Sequence, residues 1–250
     1  MFKKMQAPAQ ELMRRNFDSR TVDLSGDTCA IVDAQRKMES WRKIGRYTVF
    51  SAGAFDLLGI NHIRGLVQCR MLGAMSLMAL EEVETEHDYR QVHEVAASQQ
   101  IGLMISMDTN QALEEGKSRR PEKGNAPKPT LDWSTRAAML ASQSMAAPGY
   151  DGGVNLIDYI TRHGPGCCNV CTPGTCINED DSRIAVALQP DAIVVNVGSH
   201  QTITDLGEYK RSGKLPKTEL IAIDENEGAF SDDILGGIVS TTAIINRIRS

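Results

Sequence analysis

The chain has 250 residues, of which 41% are hydrophobic and 24% charged, with a formal net charge of −5. That is long enough to bury a sizeable core and too apolar for a disordered chain. The mildly acidic balance lacks the concentrated basic face that nucleic-acid binding needs, and no apolar run has the length of a membrane span. Neither nucleic acid nor membrane is therefore expected as a partner.

The N-terminus, MFKKMQAPAQELMRRNF, is basic but has no apolar signal-peptide core, so a cytoplasmic location is expected. Residues 1–45 read as an extension, a helix and a short apolar segment ahead of the main fold. Arg46 to Phe50 is the first strand, and a glycine turn follows it. From His62 to about Val83, apolar residues including Ile63, Leu66, Met71 and Met75 recur at helical spacing, with Asn61 as the N-cap. The charged stretch EEVETEHDYRQVHEVAAS reads as a solvated helix or insertion, and IGLMISM as a buried strand.

DTNQALEEGKSRRP predicts a short helix capped by Asp108, Thr109 or Asn110, and PEKGNAPKP a loop. LDWSTRAAMLASQSM predicts a helix with Ala138, Leu140 and Ala141 inward. GGVNLIDYI is a strand candidate, TRHGPGCCNVCTPGTC an irregular loop, and DDSRIAVALQ a helix. DAIVVNVG and TELIAID are strands, and VSTTAIINRIRS is a helix capped by Ser240 or Thr241. Strands alternating with helices imply a mostly parallel sheet covered on both faces.

The turn after the first strand, GAFDLLGINHIRGL, carries a specific pattern. It resembles the signature of the nucleotidyltransferase superfamily marked by an HxGH motif, and most of all its cytidylyltransferase-like branch. That branch includes glycerol-phosphate and ethanolamine-phosphate cytidylyltransferases, the adenylyltransferase half of ADP-heptose synthesis, and archaeal-type FAD synthetases. Gly53, Phe55, Asp56 and His62 match the pattern G-x-F-D-x-x-H-x-G-H, with Ala54 between them. Gly59 stands in place of the first histidine, and Asn61 in place of the glycine. Three further segments match in order: DTNQALEEGKSRRP with Lys117, STRAAMLAS with Arg136, and VSTTAIINRI with Ser240, Thr241 and Thr242.

The resemblance implies a single Rossmann-like α/β domain over residues 46–250, with insertions near 81–100 and 149–177. It implies transfer of a nucleotidyl group from CTP or ATP to a small phosphorylated acceptor, release of pyrophosphate, a requirement for Mg²⁺, and a homodimer. His62, Lys117 and Arg136 would then be catalytic. Gly53, Ala54, Phe55, Asp56, Gly59, Asn61, Gly198 and Ser240 to Thr242 would bind nucleotide and phosphate. Lys123, Lys128, Arg119 and Arg120 would be auxiliary cations.

A helix N-terminus offers unpaired N–H groups and partial positive charge to a phosphate, and a histidine there adds a directed donor. Each feature has a plainer reading. His62 is then a helix-start residue, the basic loop a solvated one, Ser240 to Thr242 a cap, and Arg136 half of a surface ion pair. Ser199 and His200 follow the glycine of IVVNVGSH, where the family often has an acidic residue, and the arginine often found before the Ser-Thr-Thr is absent. His87, His93, His163 and His200 are candidates to replace the missing imidazole. The alternative function is therefore a degenerate homologue, acting as a nucleotide-binding, regulatory or structural subunit.

Six cysteines are present: Cys29, Cys69, Cys167, Cys168, Cys171 and Cys176. The last four crowd into one loop, unlike the framework of a disulfide-stapled secreted domain. Cys167, Cys168, Cys171 and Cys176 are candidate ligands for Zn²⁺ or an Fe–S centre, and a metal- or thiol-based sensor is a third reading. The plain alternative is a loop of partly buried thiols.

Overall fold

The computed structural model describes residues 20, 29–56, 58–118, 129, 131–147, 150–171, 176–177, 181–196 and 200–223. The helices are α1 (Ala30–Lys43), α2 (Ile60–Leu77), α3 (Glu86–Ala96), α4 (Asn110–Ser118), α5 (Trp133–Ala141), α6 (Asp181–Leu188) and α7 (His200–Arg211). The strands are β1 (Tyr47–Gly53), β2 (Ile101–Asp108), β3 (Ser144–Ala147), β4 (Tyr150–Asn155), β5 (Tyr159–His163), β6 (Ala192–Asn196) and β7 (Glu219–Ile223).

Five strands form one sheet in the order β5-β2-β1-β6-β7, and each neighbouring pair is parallel. Counted in chain order within the sheet this is 3-2-1-4-5, the doubly wound Rossmann-like order. The order reverses between β1 and β6, so the two chain paths diverge there. β2 is buried along almost its whole length and reads as a continuous apolar run, as a central parallel strand must when both faces are covered.

Two glycines show how the faces are covered. A Cβ on Gly102 would come within 2.8 Å of the Trp41 ring of α1, and one on Gly73 of α2 within 2.4 Å of Val49 and 3.6 Å of Ile101. Ile101 and Gly102 are neighbours in a strand and point to opposite faces. Helices α1 and α2 therefore press on opposite sides of the sheet. Helix α3 packs on α2, and α6 links α1 to α7.

The N-terminal ends of the strands are tied by charge. Asp158 accepts from Arg46 and Arg70, each at 2.8 Å, and from the backbone N–H of Leu103 at 3.0 Å. Arg70 is 1% exposed and also donates to the carbonyls of Ala96 and Ser98. Thr48 donates through its N–H and its hydroxyl to Asp191, fixing β1 beside β6.

Several expectations need correction. The helix expected from His62 to Val83 spans Ile60–Leu77 and is stopped where Ala79 turns left-handed, at a φ of 56°. Its N-cap is Gly59, not Asn61, because the chain is still extended at Gly59. Of the three caps expected for α4, Thr109 is the one found, accepting from the N–H of Ala112 at 3.1 Å. In α5 the buried face runs through Trp133, Arg136, Ala137, Leu140 and Ala141, leaving Ala138 exposed. GGVNLIDYI is not one strand: it breaks at Leu156–Asp158, so β4 pairs with β3 in a small antiparallel hairpin and β5 joins the main sheet. Helix α7 has no counterpart in the sequence reading.

Candidate functional site

The C-terminal end of β1 leads through Gly53, Ala54, Phe55 and Asp56 to the start of α2. Phe55 takes a φ of 47°, uncommon for a residue with a side chain and a mark of a tightly constrained turn. Its ring folds back over Gly53, where a Cβ would lie 2.9 Å from the ring edge. That ring also meets His62, tilted by 55° with ring centroids 5.5 Å apart.

The N–H of Gly59 donates to Nδ1 of His62 at 3.1 Å. A ring nitrogen that accepts a hydrogen bond carries no proton, so the neutral imidazole holds its proton on Nε2. His62 thus serves its own helix through one nitrogen and offers a donor through the other. The helix behind it is 18 residues long and its N-terminal N–H groups open at the same turn. Asp56 is 9% exposed and accepts from the N–H of Leu131 at 3.4 Å.

Arg136 is brought to this turn from α5, but not as an open cation. It is 1% exposed and donates to the carbonyls of Ala54 (2.6 Å), Asp108 (2.8 Å) and Leu131 (3.2 Å) and to the side-chain oxygen of Asn110 (2.9 Å). Burial lowers its pKa, and Asp56, Asp108 and Asp132 act in the opposite direction. Its place is structural: one guanidinium pins the turn after β1, the end of β2 and the start of α4 together.

At the reversal between β1 and β6 lies a cavity of about 70 Å³, walled by Ser51, Ala52, Val195 and Asn196 and closed by Thr202 and Leu206 of α7. Ser51 donates to the carbonyl of Val194 at 2.9 Å. In open α/β sheets, ligands bind in the crevice at the carboxyl ends of the strands, where the order reverses. The cavity is lined by the end of β1 but by no residue of α2.

Among the candidate replacement histidines, His163 comes to the same end of the sheet. It closes β5, and its Nδ1 is 2.7 Å from Asp108 Oδ1 at the end of β2. His87 and His93 sit on α3, where burial lowers the pKa of His93. His200 begins α7. Lys117 falls in the last turn of α4, and Asn61 in the first turn of α2. Gly198, Ser199, Arg119, Arg120, Lys123, Lys128, Ser240, Thr241 and Thr242 lie outside the described residues.

The cysteine loop follows β5. Cys167, Cys168 and Cys176 are buried together, with Cys29 and Cys171 packed against them. The sulfurs of Cys29, Cys168, Cys171 and Cys176 all lie within 4.8 Å of one another, a set that can hold a metal ion. Cys29 is a member that the loop alone does not reveal, since it lies 142 residues before Cys171, with the two sulfurs 3.4 Å apart. Cys167 stands beside the set, its sulfur 3.5 Å from Cys176.

The thiols differ. Burial opposes ionisation of Cys168, but hydrogen bonds from Cys171 and from the backbone N–H groups of Cys171 and Val170 outweigh it and lower its pKa. Burial pushes Cys167 up to about 12. Cys171 is raised by its hydrogen bonds to Cys168 and Cys29.

Comparison with protein-family models gives no match, and comparison with curated proteins gives none either. No helix among the described residues is long and apolar enough to cross a membrane.

Proposed function

We propose that this chain transfers a nucleotidyl group from CTP or ATP to a small phosphorylated acceptor. An oxygen of the acceptor phosphate attacks the α-phosphorus, the bond to the bridging oxygen breaks, and pyrophosphate leaves. The observation that carries this reading is His62, set at a helix start at the end of β1, with Nδ1 engaged by Gly59 and Nε2 left as donor. A preorganised donor at that place favours the charge that grows on the transferring phosphoryl oxygens. The Mg²⁺ enters as part of the substrate, bound to the triphosphate. Lys117 and Ser240 to Thr242 are assigned to the phosphates by resemblance, and a homodimer belongs to the same proposal.

Arg136 takes a positioning role in this scheme, because its bonds hold the carbonyl of Ala54 in the turn that leads to His62. The test is calorimetric titration of CTP and ATP, each with Mg²⁺, into wild type and His62→Ala. Selective binding of one nucleotide, weakened in the variant, is expected. Turnover with a matched acceptor should fall about 10²–10³-fold in His62→Ala, as for loss of one transition-state donor. Absence of binding by either nucleotide would sink the proposal.

A second reading is supported by Gly59 and by Arg136. One imidazole of the expected pair is missing, and the arginine is spent on protein oxygens. A chain that binds nucleotide without turning it over would act as a regulatory or structural subunit. Binding that is intact while no acceptor yields pyrophosphate would select it.

A further inference from the structure

We propose that Cys29, Cys168, Cys171 and Cys176 form a tetrahedral zinc site that fastens the start of α1 to the loop after β5. This inference is independent of the nucleotidyl-transfer reading. It rests first on spacing. A Zn–S bond of about 2.3 Å places the sulfurs of a ZnS₄ tetrahedron about 3.8 Å apart. The four sulfurs are all within 4.8 Å of one another, and Cys171 and Cys29 are 3.4 Å apart. Contraction or expansion by less than the length of one bond brings the set to ligand geometry.

The second support is the backbone. Cys168 begins a C-x-x-C turn whose second cysteine, Cys171, brings its sulfur into the same set. The turn is itself anchored. Thr109 donates to the carbonyl of Pro165 at 2.5 Å, and its N–H donates to the carbonyl of His163 at 2.7 Å. Gly164, at a φ of 92°, lets the chain pass so close to Ala112 that a Cβ would lie 2.6 Å away.

The chemistry favours zinc over an iron–sulfur cluster. A cluster spreads its thiolates over several irons with sulfides between them, and four sulfurs this close leave room for one ion. On binding, each S–H bond is replaced by a Zn–S bond and its proton passes to solvent, with no change of oxidation state.

The experiment is metal analysis of the full chain purified under reducing conditions, with Cys29→Ser and Cys167→Ser beside it. One zinc per wild-type chain is expected, with the metal retained in Cys167→Ser and lost to a chelator in Cys29→Ser. Because Cys29→Ser removes a packed contact as well as a ligand, Co²⁺ titration of the metal-stripped wild type gives a separate reading. The visible bands and thiolate charge transfer of a tetrahedral four-sulfur site should appear and saturate at one equivalent. Metal lost from Cys167→Ser but kept in Cys29→Ser would overturn the ligand set. A chain with no zinc and no cobalt spectrum, an iron–sulfur chromophore, or disulfides formed in place of the site would overturn the proposal.

Discussion

Arg136 and His62 share a turn but answer to different tests. Arg136 is buried with donors on three backbone carbonyls and one side-chain oxygen. Replacing it with methionine strands those acceptors, each at a cost of about 1–3 kcal/mol. Arg136→Met should therefore lose about 3 kcal/mol or more of stability in urea unfolding. His62→Ala removes one bond at an exposed helix start. It should cost about 1 kcal/mol, as loss of a cap does, whereas the proposed function expects the larger effect on nucleotide binding. The sequence marked both residues by motif but could not separate these roles. An arginine opposite a phosphate and an arginine under a loop have the same spacing; only burial tells them apart.

At the scale of elements, the strands were the most legible. β2 and β6 are covered on both faces and so appear as continuous apolar runs, IGLMISM and AIVV. Helix α7 was not legible, because among its described side chains only Leu206 is buried and Ile203 is the one other aliphatic side chain in HQTITDLGEYKR. β4 and β5 ran together because Leu156 and Ile157 between them are apolar and buried although they pair with no strand. Asp158, which ends that break, is the residue on which the starts of β1, β2 and β5 converge. Taking away one partner of a buried ion pair costs about 3–5 kcal/mol. Asp158→Asn should therefore lower the melting temperature sharply in calorimetry, whereas Arg90→Gln on the exposed face of α3, whose partner Glu86 is equally exposed, should change it little.

Across the whole molecule, the sheet separates two tasks. Its N-terminal edge is held by buried charge, and its C-terminal edge gathers the turn of His62, the Asp108–His163 pair, the cavity beside α7 and the cysteine cluster. The parallel sheet was readable from alternation; the meeting of Cys29 with the loop was not, because 142 residues intervene between it and Cys171. That separation has a topological consequence. Joined at the sulfurs by the proposed zinc, the chain becomes a closed ring holding α1 through β5, and from it α6, β6, α7 and β7 hang as an open tail. The crevice between β1 and β6 is the seam where tail meets ring. A ring of this size costs the unfolded chain about 4–5 kcal/mol of freedom on the closed-loop model, and none of that restraint falls on the tail. The tail strands should then exchange their amide hydrogens faster than β1, β2 and β5, so that the wall of the crevice contributed by β6 and α7 breathes while the wall contributed by β1 stands still.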